Sequence, residues 1–117
     1  MKPLVYVAAP YSKPDPVENT HRAIKAGLAL YDSGLVVPLI PHLSLAAHLV
    51  EPRPVDYWYA LDIDQLAHCD ALLRLPGAST GADREVYFAS SIHRFSCGKV
   101  DIPVFYEANA VLDWAGR

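Results

Sequence analysis

The sequence predicts an α/β fold: a three-layer sandwich around a parallel sheet of four to five strands, doubly wound and flavodoxin-like. Three observations predict it. Short apolar runs alternate along the chain with segments of helical period. The runs are apolar without alternation, the mark of strands covered on both faces. The joints between run and helix hold proline, glycine and small polar residues, which is turn chemistry.

Leu4 to Ala9 is the first such run. Pro10, Pro14 and Pro16 follow within one loop and forbid regular pairing there. Asp15-Pro16-Val17-Glu18 reads as a helix start, with Asp15 as cap, Pro16 in the first turn and Glu18 completing a capping box. Val17, Thr20, Ile24, Gly27, Leu28 and Tyr31 then fall on one helical face, expected to be the buried one. Gly34 ends the helix. Leu35 to Ile40 is the second strand, and Pro38 within it argues for an edge position.

Leu43 to Leu49 is a short helix after Pro41-His42, and Glu51-Pro52-Arg53-Pro54 is a punctuated loop. Val55 to His68 is a helix with Trp58, Leu61 and Leu66 as its expected buried face. Ala71 to Leu75 is the third strand, Ala82 to Phe95 the next helix, Ile102 to Tyr106 the fourth strand, and Asn109 to Trp114 a final short helix. Neither repeats nor low-complexity tracts interrupt this order.

The totals narrow the function. A chain of 117 residues reads as one domain, 1–117. With 52% hydrophobic and 20% charged residues it buries a core. At this size a homodimer or larger homo-oligomer is expected. A net charge of −3 leaves no basic footprint for a nucleic-acid polymer, so a small diffusible substrate fits better. Cys69 and Cys97 make neither a metal spacing nor a disulfide framework. His42 and His48, six apart with no carboxylate–histidine motif beside them, do not read as a metal site, and no cofactor motif is evident. The first apolar run breaks at Pro10, too early for a signal peptide or a membrane span, so a cytoplasmic location without a membrane partner is expected.

In a parallel sheet the ligand crevice lies beyond the carboxyl ends of the strands. Three segments converge there: Pro10 to Lys13, Pro41-His42, and Pro76 to Glu85. The last is the most telling. Pro76-Gly77-Ala78-Ser79-Thr80-Gly81-Ala82-Asp83-Arg84-Glu85 is a small-residue loop between strand and helix, with backbone N–H groups free for an anion or a sugar hydroxyl. Glu85 follows in the early turns, where the helix field favours its ionised form. An ionised carboxylate beside such a loop can attack or stabilise a cationic sugar carbon. Asp83 reads as a first-turn residue that favours the dipole.

With these residues assembled, the chain resembles the nucleoside 2-deoxyribosyltransferase superfamily, including its deoxynucleoside-monophosphate N-glycosidase branch. The resemblance rests on Val5-Tyr6-Val7-Ala8-Ala9-Pro10, on Cys69-Asp70-Ala71-Leu72-Leu73-Arg74-Leu75, on Ser79-Thr80-Gly81-Ala82-Asp83-Arg84-Glu85, and on Ile102-Pro103-Val104. It implies that Glu85 is a nucleophile forming a covalent deoxyribosyl ester and that Asp70 binds sugar or assists proton transfer. It further implies that Tyr6 is an active-site tyrosine and that Ser79 contacts a 5′ phosphate. The branch's phosphate-binding loop residues are replaced here by Ala9, Pro10 and Ser12, so the resemblance leaves the need for a phosphate open.

Cleavage of an N-glycosidic bond needs a carboxylate near the anomeric carbon and a proton donor for the departing base. Glu85 and Asp70 are the expected catalytic pair. Asp62, one helix earlier, is a further residue able to face the site. His42 is expected to contact sugar or phosphate, Thr80 and Gly81 to line the cradle, and Tyr11, Tyr57 or Trp58 to wall the base. Hydrolysis and transfer differ only in what accepts the sugar. A second reading, a nucleotide-binding sensor module of the same architecture, uses the same loop without turnover.

Overall fold

The computed structural model describes residues 1–117. Four strands, β1 (Leu4–Ala8), β2 (Val37–Leu39), β3 (Ala71–Arg74) and β4 (Val104–Phe105), form one sheet in the order β2-β1-β3-β4. Every pairing is parallel. The order matches the first four places of the flavodoxin-type sheet. Five helices complete the sandwich: α1 (Pro16–Asp32), α2 (Ser44–Val50), α3 (Val55–Leu66), α4 (Thr80–Ser90) and α5 (Ala108–Trp114). None of them is long and apolar enough to cross a membrane.

Alternation along the strands divides the core in two. Val5 and Val7 of β1, with Ala71 and Leu73 of β3, meet Ala23 and Leu30 of α1 and Val111 of α5. Tyr6, Ala8 and Leu72 point the other way, onto Leu66 of α3 and onto Ala82 and Ala89 of α4. Pro38 does sit on an edge strand. Asp15 caps α1, its Oδ1 accepting from the Val17 N–H at 2.9 Å, but Glu18 makes no return bond, so the capping box is only half formed. Gly34, at φ +77°, ends that helix in a conformation other residues rarely adopt.

Two expected faces are corrected. On α1 the buried residues are Asn19, Thr20, Ala23, Gly27 and Leu30, whereas Val17, Leu28 and Tyr31 are exposed. The helix lies so close to the sheet that a Cβ on Gly27 would stand 2.4 Å from Ile40 Cδ1. That approach admits small residues along the contact line and turns the bulky ones aside. On α3 only Leu66 is buried; Leu61 is exposed and Trp58 half-buried.

Some ends also shift. Ser79 caps α4, its Oγ accepting from the Ala82 N–H at 3.0 Å, so the helix opens at Thr80 rather than Ala82. It stops at Ser90, and Ile92–Arg94 is a separate 3-10 turn. The fourth strand shrinks to two residues because the Ile102 N–H is taken by the Ala89 carbonyl at 2.8 Å.

The corrected α1 face sets up a paired measurement. Leu30→Ala removes a fully buried side chain and should cost about 2–5 kcal/mol. Leu28→Ala, on the exposed stripe, should stay within about 0.5 kcal/mol. Urea unfolding of both variants checks the pair.

Candidate active site

The three loops at the carboxyl ends of β1, β2 and β3 are joined by direct contacts. His42 Nε2 donates to the Pro10 carbonyl at 2.8 Å. A carbonyl oxygen only accepts, so Nε2 carries the proton and Nδ1 is a bare acceptor. Nδ1 is buried without a partner, and burial holds the imidazole below its usual pKa. The Tyr11 ring meets the His42 ring edge-on at 5.5 Å. Gly77, at φ +118°, brings the third loop against the first: a Cβ there would lie 2.7 Å from Pro10 Cγ. No other residue fits that place without strain.

Two acids, Glu85 and Asp62, lie near Tyr6 of β1. Glu85 is 6% exposed and projects from the second turn of α4 to the middle of β1. There its Oε2 accepts from the Tyr6 hydroxyl. Burial pushes the Glu85 carboxyl up to about 7; the Tyr6 hydrogen bond and the charge of Arg74 pull it down, and the charge of Asp62 adds to the rise. The helix field expected to keep Glu85 ionised is outweighed by desolvation. Asp62, on the sheet-facing side of α3, is pushed up to about 7 by burial, and its Oδ1 has no hydrogen-bond partner. Burial and the neighbouring Glu85 and Asp62 charges hold the Tyr6 phenol far above its ordinary range, so it remains a donor.

Asp70 stands elsewhere. Its Oδ2 accepts from the Leu4 N–H at 2.8 Å, and its own N–H donates to the Leu4 carbonyl at 2.8 Å. Leu4 opens β1, so Asp70 clamps the amino end of the sheet, opposite the loops that meet at His42. The acid beside Glu85 is Asp62, and the expected catalytic pairing with Asp70 is corrected accordingly. Trp58 is engaged away from the cluster: its indole Nε1 donates to His48 Nδ1 at 2.8 Å. Tyr57 packs edge-on against it. Ala9 is buried, Ser12, Thr80 and Gly81 are exposed, and Ser79 is half-buried as the cap of α4.

Two functional side chains were not singled out from the sequence. Arg74, 8% exposed, ends β3 and donates to the Gly77 carbonyl at 2.9 Å and to Asp83 Oδ1 at 3.1 Å. It fixes the shape of the loop before α4 and places a positive charge near Glu85. Asn19, 2% exposed, donates to the Tyr11 carbonyl at 3.0 Å and the Lys13 carbonyl at 2.9 Å, holding the proline-rich loop. A lone cation ending an apolar strand was the legible signal for Arg74. Asn19 had only its position in the helix turn beneath that loop.

No family model matches the chain, and no curated protein is similar enough to match it. The case for a site therefore rests on its own geometry. Two carboxyls with raised affinity for a proton lie near one phenol donor, close enough for the charge of Asp62 to act on both Glu85 and Tyr6, and perturbed groups of this kind gather where acid–base chemistry is done.

The raised carboxyls make stability depend on pH. The folded chain retains protons that the unfolded chain releases above about pH 4. Their contribution is complete below that point and is lost as pH rises through about 7. Glu85→Gln removes one ionisation. It should gain roughly 2–3 kcal/mol over wild type at alkaline pH and nothing at acid pH. Calorimetric melting across the pH range measures the difference.

Proposed function

We propose that the chain cleaves or transfers at the N-glycosidic bond of a deoxynucleoside or its 5′-monophosphate, with Glu85 as nucleophile and Asp62 as acid and base. The observation that carries this reading is the buried hydrogen bond from Tyr6 to Glu85, with Asp62 close enough for its charge to act on both. Both carboxyls titrate near 7, so the pair holds about one proton at neutral pH. Glu85 has the Tyr6 hydroxyl and the Arg74 charge to favour its anion; Asp62 has an orphaned oxygen and no donor. The charge belongs on Glu85 and the proton on Asp62, the arrangement that nucleophile and acid require.

The steps follow. A Glu85 carboxylate oxygen attacks the anomeric carbon as its bond to the base nitrogen breaks. The electron pair of that bond goes to the base, which takes the Asp62 proton. A deoxyribosyl ester remains on Glu85, dividing one difficult step into two. Water or a second base then attacks the same carbon, Asp62 takes the proton released, and the ester bond breaks to restore Glu85. Tyr6 donates to the nucleophile throughout and holds its position. The resemblance of the sequence to the nucleoside 2-deoxyribosyltransferase superfamily supports this class of substrate, and the exposed N-terminal turn of α4 at Thr80 and Gly81 suits sugar or phosphate oxygens. The nucleoside is a small-molecule partner, and the chain is expected to work as a homo-oligomer.

Chromatography of free base released from a panel of 2′-deoxynucleosides and their 5′-monophosphates tests the proposal. Wild type should release base, Glu85→Ala should not, and Asp62→Asn should be slower by about 10²–10⁴-fold. Asp70→Asn should keep the wild-type rate. Activity should rise and fall around neutrality, since one carboxyl must be ionised and the other protonated. Added acceptor base separates transfer from hydrolysis. A nucleotide that raises the melting temperature with no base released from any substrate would replace this reading with the sensor module.

A further inference from the structure

Two grooves flank α3, one of about 550 Å³ against α4 and one of about 500 Å³ against α2. In each an arginine lies over a tyrosine ring: Arg84 over Tyr59 at 5.2 Å, and Arg53 over Tyr57 at 4.7 Å. Arg53 is paired with Glu51 at 2.9 Å, whereas Arg84 has no carboxylate within ion-pair distance. The α3–α4 groove is also the one joined to the acids. Tyr59 and Ile63 line it. Asp62 and Ile63 follow Tyr59 at i+3 and i+4, so all three share one face of the helix. Burial raises the Tyr59 phenol, and the charges of Arg84 and Glu85 both reach it, in opposite senses. The α4 wall begins at Thr80, in the first turn of that helix, and continues through Arg84 to Tyr87 and Phe88.

We propose that the α3–α4 groove holds the base of the substrate and that Arg84 makes that base a 6-oxopurine. The inference rests on the nucleoside reading above for its occupant; the groove supplies the choice among bases. Ligand sites enclose about 300–1,000 Å³ between mostly apolar walls, with a few polar groups that fix orientation. Here the rings of Tyr59, Tyr87 and Phe88 offer aromatic surface to a flat base. The wall expected at Tyr11, Tyr57 or Trp58 moves to Tyr59, because those three rings are engaged. Tyr11 packs on His42, the Trp58 indole donates to His48, and Tyr57 lies under the ion-paired Arg53. A base against Tyr59 lies on the helix face that carries Asp62, its proton donor in the proposed reaction. A guanidinium stacked on a ring keeps its N–H groups in plane at its edge. That edge has donors only. It pairs with two adjacent acceptors and opposes an amino group. The O6 and N7 atoms of a 6-oxopurine are such a pair, whereas adenine shows N7 beside an amino donor. Asp83, the carboxylate that lines the groove, is engaged by Arg74 at 3.1 Å, which leaves Arg84 to set the preference.

Binding and turnover test the assignment separately. Calorimetric titration of the full chain should show free hypoxanthine held about tenfold tighter than free adenine, or more. Arg84→Gln, at an exposed position, should erase the preference, since an amide both donates and accepts. Tyr59→Leu should weaken both bases together. Arg53→Gln, in the other groove, should change neither. In turnover, wild type should cleave 2′-deoxyinosine with a kcat/KM about tenfold or more above that for 2′-deoxyadenosine, and Arg84→Gln should level the two. Equal binding of the two bases by wild type, binding of neither, or a preference that survives Arg84→Gln overturns the inference; the Glu85 chemistry then still stands wherever base is released. Selective binding that Arg84→Gln abolishes, with no base released from any substrate, upholds the groove and overturns the chemistry.

Discussion

The hydrogen bond from the Tyr6 hydroxyl to Glu85 joins the middle of the central strand β1 to the second turn of α4. Every other feature of the site is arranged around it. Tyr6 is the polar intruder in an otherwise apolar half-core, and a buried phenol needs a partner. Glu85 supplies that partner and is itself buried by doing so. A carboxyl in that position stays ionised only with help, and the help is uneven: Tyr6 and Arg74 favour the anion, burial and Asp62 oppose it. The balance near neutrality is the physical basis of the acid–base behaviour proposed for the pair.

The loops above the pair are held by polar contacts rather than by apolar packing. His42 grips the backbone of Pro10, Asn19 grips that of Tyr11 and Lys13, and Arg74 grips that of Gly77. Side chains from β2's exit, α1 and β3 thus each satisfy carbonyls of an irregular segment that would otherwise be left unpaired. Gly77 lets two of these segments touch. The result is a preorganised mouth built on rigid elements, with the bare Nδ1 of His42 as an acceptor not committed to the protein.

The sheet was legible in the sequence because both of its faces are covered, which leaves its strands as unbroken apolar runs. Helix ends were less so: Ser79 looked like a loop residue and proves to be a cap. Helix faces failed where the packing distance mattered, since Gly27 and Ala23 rather than Leu28 and Tyr31 meet the sheet. Glu85 was legible from its loop, but its contact with Tyr6 spans 79 positions and has no local signature. Asp70 obeys the geometry of a parallel sheet. A residue that opens a strand of a parallel sheet lies at the end away from the crevice, whereas Asp62, at helical spacing from Ile63's neighbours Tyr59 and Leu66, lies on the inward stripe of α3.

The two helices that carry the acids also carry exposed aromatic side chains, Tyr57 on α3 and Tyr87 on α4. Asp62 and Glu85 bring desolvated carboxyls into the α3–α4 layer, and each opposes folding at neutral pH. Local rules are broken at sites of function and compensated elsewhere. The other half-core, beneath α1 and α5, buries no carboxyl; its buried polar groups on α1 are Asn19 and Thr20.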